Sequence, residues 1–193
     1  MKNTNKMTTR TLVLGAVLTA LVIILQFVSM NLRFSTFSIT LTLVPIVIGA
    51  ATCGIGVGAW LGLVFGAVVL LTGDAAPFLA VNFAGTVATV LVKGIAAGFI
   101  TGLVYKLIEK HSRYLAVGVS AVVCPIVNTG VFLIGCKLFF MEAISGWAAA
   151  AGMGTSVGTY MIVGLVGINF IIELGTNLVL APIVVRLLKI RLK

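Results

Sequence analysis

FAGTVATVLVKGIAAGFITGLVY (Phe83–Tyr105), followed at once by KLIEKHSR (Lys106–Arg113), is the stretch that decides the fold. The first part is apolar apart from Lys93 and is long enough, at about 20 residues, to cross a bilayer as a helix. The second part gathers Lys106, Lys110 and Arg113 in one short loop. Cytosolic loops collect Lys and Arg, so the helix reads as a span running inward and ending in the cytosol.

The rest of the chain repeats this grammar. Of the 13 Lys and Arg residues, most fall at the N-terminus (Lys2, Lys6, Arg10), in the loop just quoted, or at the C-terminus (Arg186, Lys189, Arg191, Lys193). Apolar stretches separate these groups. The hydrophobic fraction is 61%, the charged fraction is 9%, and mean hydropathy is +1.26. That few charged groups cannot cover the surface of a soluble domain. The formal charge of +9 flanks spans, which points to anionic lipid rather than nucleic acid as its counterpart. The expected architecture is an all-α membrane protein: one compact bundle of six transmembrane helices over residues 1–193, with both termini cytoplasmic. The spans are expected at about 11–30, 39–53, 55–72, 83–105, 115–140 and 160–188. The expected location is the cell membrane, a bacterial plasma membrane. The first apolar stretch is too long for a typical signal core and no small-residue cleavage site follows it, so it reads as a span.

Between the first two spans, Phe37, Ile39, Leu41 and Leu43 alternate with Ser38, Thr40 and Thr42. That period of two reads as extended chain. Gly73-Asp74-Ala75-Ala76-Pro77 reads as a turn. Glycines recur every fourth residue at Gly54, Gly58, Gly62 and Gly66, and again at Gly94, Gly98 and Gly102. Each series lays a bare strip along one helix face, suited to close packing in the bundle or against a sliding partner. Ala16 and Ala20 form a similar small pair in the first span.

Ionisable groups inside spans are the sharper signal, because each is expensive in hydrocarbon, about 2.5–3.5 kcal/mol on insertion scales. Lys93 and Glu173 fall at comparable depth on two inward-running helices. They form a structural ion pair, or they face a polar cavity and meet a substrate; the sequence leaves both open. Asn169, Glu173 and Asn177 step by four along the last span. Asn128 follows Pro125, which frees a backbone carbonyl. Asn82 opens the fourth span and Asp74 precedes it. Such amides and carboxylates suit a cavity for a small polar molecule, or hydrogen bonds between helices.

Catalytic motifs are absent. The single histidine, His111, lies in the basic loop. Cys53, Cys124 and Cys136 lack metal-ligand spacing. There is no nucleophile elbow, dinucleotide fingerprint or Walker A run. No enzyme activity, catalytic residue, metal or cofactor is expected, and the chain cannot be its own ATPase.

Four stretches, FSITLTLVPIVIG (Phe37–Gly49), GDAAPFLAVN (Gly73–Asn82), KGIAAG (Lys93–Gly98) and ELGTNLVLAP (Glu173–Pro182), carry a resemblance that extends over essentially the whole chain. It resembles the substrate-binding S component of energy-coupling factor (ECF) vitamin transporters, in the group of riboflavin, folate and pantothenate binders. The resemblance implies a high-affinity vitamin cavity lined by the last three spans and open to the outside. It implies a lid over Asn31–Thr42 carrying Arg33, Phe34 and Phe37, with the Asp74–Asn82 turn flanking the cavity. Lys93, Asn128, Asn169 and Glu173, with Asn177 on the same stripe, are then the expected polar contacts. Ala16 and Ala20 would dock a transmembrane T subunit, and two ATPases would energise uptake. Arg33 or Lys93 could meet a substrate carboxylate, and the 8% aromatic content argues against stacking a large flavin or pterin. Pantothenate is therefore preferred, although a neutral substrate fits as well if Glu173 neutralises Lys93. The competing readings are a stand-alone proton-coupled secondary transporter of a small metabolite, using Glu173 or Asp74, and a membrane enzyme or assembly factor.

Overall fold

The computed structural model describes residues 8–31, 33–34, 37–38, 41–153 and 156–190. Helix α1 (Thr9–Asn31) leads to a two-residue antiparallel ladder, β1 (Arg33–Phe34) with β2 (Phe37–Ser38), in which Arg33 faces Ser38 and Phe34 faces Phe37. Helices α2 (Leu43–Cys53), α3 (Ile55–Leu71), α4 (Ala76–Val81), α5 (Phe83–Ile108), α6 (Arg113–Phe139), α7 (Met141–Ala150) and α8 (Val157–Thr159) follow. A π-helical segment (Tyr160–Val166) then runs into α9 (Gly167–Ile190).

Helix α2 is the hub. Every residue from Leu43 to Ala50 is buried, and α1, α3, α5, α6 and α9 all pack on it. Its start at Leu43 lies later than the expected Ile39, since Leu41 and Thr42 form a turn. Gly54 separates α2 from α3 with φ +97° and ψ 178°, a conformation essentially restricted to glycine.

The glycine strips meet each other. A Cβ built on Gly58 or Gly66 of α3 would stand 2.8 Å from the carbonyl oxygen of Gly98 or Val90 on α5. At Gly62 and Gly94 it would overlap the opposing backbone. The two antiparallel helices therefore touch main chain to main chain, as small residues permit in lipid. Helix α1 buries Leu18, Val22, Gln26 and Ser29, spaced by four, four and three, so one face looks inward.

The opposite surfaces are apolar too. Val17, Ile24 and Phe27 of α1, Phe99 of α5, Ile134 of α6 and Ile171 of α9 are exposed. Exposed apolar patches on so many helices have no place in water and suit a lipid boundary. Residues 9–29, 83–108 and 113–139 each form a helix long and apolar enough to cross a membrane, and the bent π–α9 pair makes a fourth where its two halves form one span. The bend is 45°, where an uninterrupted last span was expected. Gly167, with φ +24°, sits at that break. Helices α2 and α3 are shorter and apolar. The chain is an all-α membrane protein.

Candidate functional site

A cavity of about 150 Å³ lies between α3, α5, α6 and the π–α9 segment, with the α3–α4 turn at its side and Gln26 of α1 reaching it. Its position follows from the close α3–α5 seam on one side and the bend before α9 on the other.

Of the expected contacts, the fold brings Asp74, Lys93, Asn128, Asn169 and Glu173 onto this one cavity. Lys93 projects from mid-α5, and its Nζ stands 5.5 Å from the ring centre of Phe65 and 5.4 Å from that of Phe132. Both rings present a favourable face to a cation. The carboxylates of Glu173 and Asp74 belong to residues of the same lining. Asn169 Nδ2 donates to Glu173 Oε1 at 3.3 Å, a pairing one helical turn apart. Asn177, one turn further on, donates from Nδ2 to the Glu173 carbonyl oxygen at 2.8 Å and does not line the cavity.

Asn82 has a different place. Its side chain caps α5, accepting from Gly85 N at 2.9 Å, as an N-cap amide does. Arg33, Phe34 and Phe37 lie in the short ladder with side chains outside the described residues, as is much of the Asn31–Thr42 segment.

Three buried polar atoms of residues that line the cavity have no hydrogen-bond partner among the described residues: Thr89 Oγ1, Asn128 Oδ1 and Asn169 Oδ1. Leaving such an atom unsatisfied costs about 1–3 kcal/mol. Thr89 Oγ1 lies against Gly135, at the α5–α6 contact.

Sequence reasoning passed over Gln26, Thr86, Thr89 and Thr129, all on the lining. Gln26 had a signal, an amide deep in an apolar span. Thr86 and Thr89 precede Lys93 by seven and four positions and so share its face. The aromatics were also missed. Phe65, Phe78, Phe132, Phe140 and Phe170 line the cavity, although overall aromatic content is modest. Phe78 meets Phe132, Phe140 and Trp147 edge to face at 5.5, 5.1 and 5.3 Å, so the indole of α7 packs on the cavity wall.

Among the described residues no group of three or more His, Cys, Asp or Glu side chains is placed to hold a metal ion. The arrangement offers one cation, two carboxylates, several amides and hydroxyls, and an aromatic wall. It can hold a small polar molecule with an apolar part.

No curated protein and no solved structure matches the chain. A family model does, over residues 10–185, and its description is "ECF transporter, substrate-specific component". That match spans nearly the whole chain, including every helix that builds the cavity, and the chain therefore belongs to the substrate-specific component family of ECF transporters.

Proposed function

We propose that this chain is the S component of an ECF-type importer and holds a water-soluble vitamin in the cavity between α3, α5, α6 and α9. The family is one of transporter substrate-binding components, not of enzymes. The observation that carries the reading is the convergence of Asp74, Lys93, Asn128, Asn169 and Glu173, from four parts of the chain, on one cavity.

Pantothenate is the preferred substrate. Lys93 is the cation on the lining and would take the carboxylate. Asp74, Glu173 and the amides would take hydroxyl and amide groups.

We read α1, α2, α3, α5, α6 and the bent π–α9 segment as six passes with cytoplasmic termini. Helix α2 is enclosed by other helices, so it need not match the bilayer thickness. Arg10 at the start of α1 lines one recess together with Glu109 and Arg113 of the α5–α6 loop. These two basic regions therefore share a face, as a cytosolic assignment of both requires.

Ala16 and Ala20 sit on the exposed side of α1, opposite Leu18 and Val22. On this reading they dock the T subunit, and two ATPases drive uptake across a bacterial plasma membrane. The test is mass spectrometry of the small molecule that copurifies with the chain, followed by titration of the stripped protein with pantothenate, riboflavin and folate. Submicromolar binding of one vitamin is expected. A preparation that retains no small molecule and binds none of the three overturns the reading.

A further inference from the structure

Gln26 is the α1 residue on the cavity lining, and it is almost wholly buried, at 1% exposure. Both ends of its amide are engaged. Nε2 donates to Asp74 Oδ2 at 2.6 Å, and Oε1 accepts from the Thr42 hydroxyl at 3.0 Å. Thr42 is itself fully buried. One turn on, Ser29 Oγ accepts from Leu41 N at 3.4 Å. Three separate parts of the chain meet at one amide: mid-α1, the turn that opens α2, and the α3–α4 turn at the cavity.

The orientation of that amide follows from charge. Turned by 180°, Gln26 would set its carbonyl oxygen against the Asp74 carboxylate and forfeit the bond from Thr42. The observed orientation makes a charge-assisted hydrogen bond, the stronger kind, to one carboxylate oxygen. That bond holds one oxygen of a carboxylate with about four acceptor positions, on a residue that lines the cavity, and so limits how the others are turned.

Resting on the vitamin-binding reading above, we propose that Gln26 is a positioning residue of the site. It aims the Asp74 carboxylate at hydroxyl groups of the substrate and ties that aim to the setting of α1. Ala20 and Ala16 lie about 9 and 15 Å from Gln26 along the helix axis, on the outer face of α1. A partner that shifts α1 thereby shifts the carboxylate.

The test uses the purified full-length chain and labelled pantothenate. Gln26→Leu is expected to weaken binding roughly ten- to hundredfold, in the range of a lost hydrogen bond to a charged group. Asp74→Asn should do the same, and the double variant should bind no worse than the weaker single one, because the two act as a unit. A pantothenate analogue lacking its hydroxyls should bind the wild type and Gln26→Leu with similar affinity, a result that purely structural damage would not produce. Gln26→Glu keeps the size but faces Asp74 with a like charge, so it should lose at least as much as Gln26→Leu. Wild-type affinity in Gln26→Leu, or losses that multiply in the double variant, overturns the proposal. If the wild type binds neither pantothenate, riboflavin nor folate, the vitamin reading fails on its own. Thermal midpoints of the same four proteins then judge the Gln26–Asp74 unit: shifts that fail to add support it, and additive shifts overturn it.

Discussion

At the scale of single residues, the groups around the cavity differ in how far the fold itself satisfies them. Thr89 Oγ1 has no partner and is buried, so replacing the hydroxyl by a methyl group removes a penalty instead of a bond. Thr89→Val is therefore expected to leave the thermal midpoint unchanged or slightly higher, and parallel melting of the two proteins checks this. Lys93 behaves differently. Its Nζ lies over two phenylalanine rings, on a cavity lining shared with Glu173 and Asp74. Lys93→Met keeps the length and removes the charge. It should lower affinity for a carboxylate-bearing vitamin by at least about tenfold, the range of a charge-assisted contact, with little effect on an amide analogue of the same vitamin. Equal losses for acid and amide would remove Lys93 from the substrate contacts.

At the scale of elements, the α3–α5 seam dominates. Helices in lipid gain little from hydrophobic burial and associate through close packing, so a strip of glycines is worth more there than in water. Gly62→Leu would drive a side chain into the Gly94 backbone and is expected to destabilise the bundle by more than the 1–3 kcal/mol typical of overpacking. The expected readout is loss of the monodisperse peak in size-exclusion chromatography. Gly118 on α6 is the control, because nothing lies within 4 Å of a Cβ there, and Gly118→Ala should be neutral or stabilising by up to about 1 kcal/mol. Gly54 lies in the same sequence series but does not join the seam. Its role is the break between α2 and α3, and Gly54→Ala should destabilise by about 1–3 kcal/mol through backbone strain alone. A thermal melt distinguishes this moderate shift from the collapse expected at Gly62.

At the scale of the whole molecule, α1 has two faces, one buried and one exposed, and the proposed docking belongs to the second. The inner face carries Leu18, Val22 and Gln26, and the outer face leaves Ala16 and Ala20 bare amid lipid-facing residues. Ala16→Trp and Ala20→Trp should fold and bind vitamin with wild-type affinity, because neither position touches the cavity. Each should fail to copurify with the T subunit and the ATPases, as read by affinity pull-down from co-expressing cells. Copurification at wild-type yield would move the docking face elsewhere. The same division of labour predicts that the chain alone in liposomes accumulates no vitamin under an imposed proton gradient, and radiolabel uptake measures this directly.

Membrane residence and helical class were legible from the sequence, because hydrocarbon admits only segments whose backbone hydrogen bonds close internally and whose charges sit at the ends. Lys93, Glu173 and Asn169 were legible as suspects, because a polar group within an apolar span needs a reason. What those residues do with one another was not legible. Whether the glycine strips met each other or a partner depended on which helices became neighbours. Asn82 turned out to cap α5, since a cap and a cavity amide look alike until the backbone around them is placed. Gln26 and four phenylalanines reached the cavity from α1, α3, α4, α6 and α9, and a fifth, Phe140, from just past the end of α6. Their convergence is a long-range property of packing, set by the backbone contact of α3 with α5 and by the break before α9, and local sequence periodicity carries no record of it.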